Sequence, residues 1–208
     1  MRTLRAFWRA TDASTAVEFA LLSPLLLTLM IGTIDIGRYL WTVNRAQKAT
    51  QMGARWAVAT DVVPSGLATY DFAVAGGIPQ GDPIPASSFT SAKCSSTLSG
   101  TVTCVCVPTT CPGGSGVNTA AFNRILFQMQ QYYPEITADK LKVNYEYSGL
   151  GYAGDPNGIQ VQPLVTVQLV GMTFAPILYR FFSSGSITLN TTFSSSLTLE
   201  DGSGQIAN

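Results

Sequence analysis

Histidine is absent from this 208-residue chain. With it go the commonest general base and the commonest zinc ligand, which excludes His-dependent triads and most catalytic zinc sites. Charge is scarce too: 12% of residues are Asp, Glu, Lys or Arg, about half the usual share for a globular domain. The 12 basic and 12 acidic residues cancel, so no net field draws the chain to nucleic acid. No nucleophile elbow and no paired acidic cluster compensates. Lys48, Lys93, Lys140 and Lys142 lack any neighbourhood diagnostic of a Ser–Lys hydrolase. The expectation is a protein with no catalytic residue, no metal and no cofactor.

Apolar residues are what the chain has most of, at 46%, and they concentrate near its start. From Phe19 to Ile34 sixteen residues pass without a charge, with Glu18 at the front edge and Asp35 after the end. Sixteen is short for a bilayer helix, which needs roughly 17–25 residues. The apolar content continues through Ile36, Leu40, Trp41 and Val43, however, and Tyr39 and Trp41 are rings of the kind that settle at a membrane boundary. The pattern predicts a membrane-spanning helix over residues 16–43, roughly 40 Å long at 1.5 Å per residue. Pro24 interrupts one backbone hydrogen bond within it, which is expected to kink the helix and is tolerated in a bilayer.

Helix-favouring residues run on to Thr60, so one long helix is expected over 14–60, ended by Pro64 and Gly66. Tyr39, Val43, Ala46, Thr50, Gly53 and Ala57 recur at four and three, a narrow stripe of mostly small residues that lets a helix or sheet come close. Arg38, Arg45, Lys48 and Arg55 share an arc of roughly 100°. That face suits solvent or lipid headgroups, or else an acidic partner.

Arg2, Arg5 and Arg9 precede the span and predict a cytoplasmic N-terminus, while Arg38, Arg45, Lys48 and Arg55 argue the opposite. Residues 61–120 settle the conflict, being rich in Ser, Thr, Gly and Pro and nearly free of Lys and Arg. Such a segment is easily translocated. Signal-peptide removal is disfavoured, because the A-x-A tripeptide Ala57-Val58-Ala59 lies too far beyond the apolar core.

Cys94, Cys104, Cys106 and Cys111 fall within eighteen residues. A zinc knuckle is disfavoured because the spacing lacks paired C-x2-C. An even, clustered set beyond a membrane segment points to disulfides in an oxidising compartment. Four cysteines allow three pairings. Alternation over Thr101–Cys106 predicts a strand with Cys104 and Cys106 on one face. Neighbours on one strand do not bond easily, so one is expected to reach Cys94 and the other Cys111; of the two pairings this leaves open, Cys94–Cys104 with Cys106–Cys111 is preferred.

Residues 61–92 read as loop with a brief strand near Ala73. Val117–Tyr133 carries a helical pattern in Phe122, Ile125, Leu126, Met129 and Tyr133, stopped by Pro134. Lys140–Tyr147, Ile159–Met172 and Ile187–Glu200 read as strands, the second with Pro163 near its start. Gly149-x-Gly151-x-x-Gly154 matches a phosphate cradle by letters only, since it precedes a strand rather than opening a helix. Asn190-Thr191-Thr192 is a glycosylation sequon by letters, read as strand residues. Four strands with little helix between the last three predict an α+β fold: a small antiparallel sheet with the long helix on one face.

The run Ala13-Ser14-Thr15-Ala16-Val17-Glu18-Phe19-Ala20-Leu21-Leu22-Ser23-Pro24-Leu25-Leu26-Leu27, with Gly32, Asp35-Ile36-Gly37-Arg38 and Gly53-Ala54-Arg55, resembles the TadE-like family. These are pilin-like minor subunits of bacterial tight-adherence (Tad) pilus systems. The resemblance is strong over residues 13–60 and general beyond. It implies a basic leader, 1–13, cut by a membrane prepilin peptidase so that glutamate becomes the fifth residue. For Glu18 that places the cut between Ala13 and Ser14, with Ala where the family usually has Gly. Glu18 and Phe19 are then the processing and assembly motif, and residues 61–208 a periplasmic, disulfide-containing α+β domain.

The function so implied is a minor pilin or pseudopilin, held in the inner membrane and serving pilus biogenesis, adhesion and biofilm formation. Its partners would be the peptidase, major and minor pilins, and membrane lipid. The alternative is a membrane-anchored adhesin or binding module that never enters a filament. The D-x-S-x-S adhesion signature of a larger Tad-associated relative is absent: Asp12-Ala13-Ser14 continues with Thr15-Ala16.

Overall fold

The computed structural model describes residues 12–107, 111–156, 158–182, 186–189, 191–200 and 202. Arg2, Arg5 and Arg9 of the expected leader and Asn190 of the sequon lie outside these. Among the described residues, those up to Thr42 together with those of Thr173–Ile187 form one compact unit, and those of Val43–Met172 with those from Thr188 on form the other.

Helix α1, Asp12–Ala59, is 48 residues long and runs through Pro24 without interruption. In the second unit its Val43–Ala59 portion buries Ala46, Ala49, Thr50, Gly53, Ala54, Ala57 and Val58. This is the expected stripe widened by Ala49, Ala54 and Val58. At Gly53 a Cβ would stand 2.7 Å from Met129 Cγ and 3.3 Å from Val167 Cγ1, so any larger residue would force Met129 to shift.

The sheet of this unit has five antiparallel strands in the order β2-β1-β3-β4-β7. They are β1 (Ser91–Ser96), β2 (Val102–Val107), β3 (Leu141–Glu146), β4 (Leu164–Leu169) and β7 (Phe193–Thr198). Register sets the inward rows. Cys104, Cys94, Val143, Val167 and Ser195 form one, and Cys106, Ala92, Tyr145, Val165 and Leu197 the next. Helix α3, Thr119–Gln130, is opened by Asn118, whose Oδ1 accepts from Ala121 N at 3.0 Å, and it buries Phe122, Ile125 and Met129. Two further strands, β5 (Met172–Phe174) and β6 (Ile187–Leu189), make a separate ribbon. Helix α4, Ile177–Phe182, lies between them in the chain.

Several expectations need correction. Residues 61–92 hold a short helix, α2 (Ser65–Thr69), and the start of β1. No strand forms near Ala73. Asp71 Oδ1 accepts there from Ala73 N and Val74 N, closing a turn. The Ile159–Met172 strand contracts to Leu164–Leu169, because Pro163 brings no N–H and Gly171 turns the chain at φ 63°. The Ile187–Glu200 strand divides into β6 and β7. The helix expected over Val117–Tyr133 ends at Gln130, leaving Tyr133 buried beyond it.

Cys94 and Cys104 face each other across β1 and β2 and are bonded, as are Cys106 and Cys111. Removing the first bond by Cys94→Ala with Cys104→Ala should cost about 3 kcal/mol, and removing the second about 2 kcal/mol, because the loops closed differ in length. Urea titration of each double variant measures this. An unchanged midpoint for both would show that neither clamp limits the unfolded chain.

The Tyr145 phenol is buried and its oxygen accepts from Val63 N at 3.1 Å. Burial pushes its pKa well above the ordinary value. The unfolded phenol ionises near pH 10 while the folded one resists, so the unfolded state binds fewer protons above that pH. Stability is therefore complete below pH 10 and falls by about 1.4 kcal/mol per unit above it. Tyr145→Phe should remove this alkaline slope and cost about 1–3 kcal/mol at neutral pH, through the orphaned Val63 N–H. Denaturant melts of both proteins at pH 8, 10 and 11 carry the comparison.

Candidate anchor and assembly surface

Along the first half of α1 the apolar residues face outward on every side. Phe19, Leu21, Leu25, Leu29, Met30 and Ile36 are each at least 60% exposed. A helix apolar all round is stable only inside protein or lipid. Within Thr15–Ala59 an 18-residue window reaches a mean hydropathy of 2.0 with 6% of it buried. Three threonine hydroxyls are satisfied within the helix. Thr28 Oγ1 donates to Pro24 O at 2.7 Å, Thr33 Oγ1 to Met30 O at 2.8 Å, and Thr42 Oγ1 to Arg38 O at 3.0 Å. Such back-bonding is how hydroxyls are tolerated where water is scarce.

Ala13 and Ser14 fall in the first turn of α1. Glu18 and Phe19 are exposed on it, and among the described residues Glu18 has no hydrogen bond or ion pair. The four cysteines belong to the other unit. The expected site residues therefore divide into an anchor-end motif and a separate structural clamp.

The cations Arg38, Arg45, Lys48 and Arg55 do not form one solvated face. Lys48 and Arg55 are exposed. Arg45 is half-buried: its Nε donates to Tyr132 O at 3.0 Å and its guanidinium lies 4.9 Å from the Tyr133 ring centre. It ties α1 to the end of α3. Burial, then the nearby Glu135 carboxylate, pushes the Tyr133 phenol above its ordinary value, so the ring under Arg45 stays neutral. Arg38 pairs with Asp35 at 3.2 Å.

Asp35 was not anticipated as a site. It is 7% exposed, and its carboxylate accepts from Ile177 N at 2.8 Å and Leu178 N at 2.9 Å, closing the start of α4. The sequence signals are a lone carboxylate among apolar residues with arginine three places on, and Pro176 before a short apolar run. What joins them is a contact across more than a hundred residues, which no local pattern carries.

These features define a class: a chain with, among the described residues, one helix long and apolar enough to be a single-pass anchor, together with a disulfide-bearing α+β unit. Residues 13–55 match the family described as TadE-like protein, so the resemblance read from the sequence holds over that span. No curated protein and no solved structure matches the chain.

Proposed function

We propose that this protein is a minor pilin or pseudopilin of a Tad pilus assembly system. α1 anchors it in the inner membrane with its N-terminus in the cytoplasm, and the disulfide-bearing unit faces the periplasm. One observation carries the reading. The TadE-like match coincides with a helix whose apolar surface is uncovered by the described residues and whose front edge bears Glu18, which has no partner among them. A bilayer covers that surface before assembly, and neighbouring helices cover it within a filament. The role is structural rather than catalytic, in keeping with a chain that lacks histidine. Its partners are a prepilin peptidase, other pilins and lipid, and through the pilus it serves adhesion and biofilm formation.

Mass spectrometry of the protein purified from membranes tests this. A chain beginning at Ser14, with its cysteines oxidised, is the expected result. A chain retaining Met1 overturns the pilin reading and favours a membrane-anchored adhesin or binding module.

A further inference from the structure

The charge-free run of α1 ends at Asp35, and there a second segment of the same unit is fastened. Two backbone N–H groups of α4 and Nη1 of Arg38 donate to its carboxylate. The segment reads TFAPILYRFF over Thr173–Phe182. Phe174 is buried, edge-on to Tyr39 at 5.6 Å between ring centres, with the Arg38 guanidinium 5.6 Å from its own. Leu178 Cδ1 lies 3.6 Å from where a Cβ on Gly32 would stand. The segment is thus held along α1 at the level of Gly32–Tyr39.

Depth follows from helix geometry. Phe19 to Asp35 spans about 24 Å along the axis, against a hydrocarbon core about 30 Å thick. With Glu18 at one edge, Asp35 reaches the opposite edge or stops inside it, and any tilt draws it further in. An isolated carboxylate at that depth is costly, and the donors gathered on Asp35 relieve the cost. Whatever is hydrogen-bonded to Asp35 shares its depth.

The surface left uncovered has the chemistry of a membrane boundary. Tyr179 is 40% exposed, Arg180 is exposed, and on α1 Leu40 and Trp41 are more than half exposed. Amphipathic rings settle at headgroup level, and an arginine stem lies along apolar surface while its guanidinium reaches phosphate.

We propose that Thr173–Phe182 is a second lipid-binding element, bedded in the outer leaflet beside the anchor and contacting lipid through Tyr179 and Arg180. This rests on the reading of α1 as a bilayer-spanning helix. It gives the chain two contacts with the membrane instead of one. Withdrawal of a subunit into a filament must then lift this segment from lipid as well as extract the helix.

The test uses the full chain reconstituted in phosphatidylcholine–phosphatidylglycerol vesicles that carry a diazirine phospholipid. Photolysis, trypsin digestion and tandem mass spectrometry locate the adducts. Trypsin cuts after Arg180, so adducts on either side of it fall on different peptides. Adducts on residues 17–34 and also on 173–182 are the expected result, with Tyr179 and Arg180 spared by a water-soluble carbene probe. Lipid adducts on 17–34 without any on 173–182 overturn this proposal and leave the anchor standing. Adducts on neither overturn the spanning reading, and the proposal with it. Heavy labelling of Tyr179 and Arg180 by the water-soluble probe places the segment in water and also overturns the proposal.

Discussion

Phe122→Ala lowers the unfolding free energy of the disulfide-bearing unit by about 3–5 kcal/mol, while Phe127→Ala on the same helix changes it by less than about 0.5 kcal/mol. Phe122 is fully buried and Phe127 is 58% exposed. Both belong to α3 and both lose the same atoms, so the contrast isolates burial from helix propensity. The loss at Phe122 combines the transfer free energy of a ring with the cavity it leaves in a core shared with Ile125, Met129 and Val167. That core cannot readily collapse to fill the space. α1 already approaches closely at Gly53, and Cys94–Cys104 pins the sheet on the other side. Denaturant titration of the two variants in parallel decides it. A Phe127 variant that loses more than the Phe122 variant would mean that α3 presents the opposite face to the sheet.

The inward face of α3 was legible in the sequence because one side chain after another recurs at three and four, and each can be checked against the core. The same holds for β3, whose Leu141, Val143 and Tyr145 alternate inward between Lys142 and Glu146. Alternation went only part of the way for the cysteines: Cys104 and Cys106 share a face, which excludes their pairing with each other, and the structure selects Cys94–Cys104 with Cys106–Cys111 from the two pairings left. β1 was invisible. Its sequence SAKCSS has no β-branched residue, and it is a strand because β2 and β3 bond to both of its edges. Arg45 illustrates a different limit. Helical periodicity places it beside Lys48 and Arg55, but only the tertiary fold brings the Tyr132 carbonyl and the Tyr133 ring to it. The Asp35 contact with α4 belongs with these, since both of its partners are ordinary residues in their own stretches of sequence.

Replacing Glu18 by alanine is expected to abolish incorporation into the pilus machinery while leaving the protein folded and in the membrane. The substitution removes a carboxylate with no partner among the described residues, so the folded chain loses no described contact. It also adds no charge to the anchor. What it removes is the group able to pair with a cation during assembly. A cut before Ser14 would create an ammonium one helical turn from Glu18, on the i,i+4 spacing that brings side chains together. The new helix start would favour an acid in its first turn as well. In apolar surroundings that pair, within one chain or between two, is worth far more than at a wet surface. Glu18→Gln separates charge from shape: it puts a neutral, hydrogen-bonding amide of the same shape in place of the carboxylate and should fail as alanine does. The measurement is the amount of each variant recovered with sheared pili or with co-purified pilins, alongside its melting curve and its membrane yield. Alanine and glutamine variants assembling at the native level would remove the electrostatic reason for a carboxylate at this position.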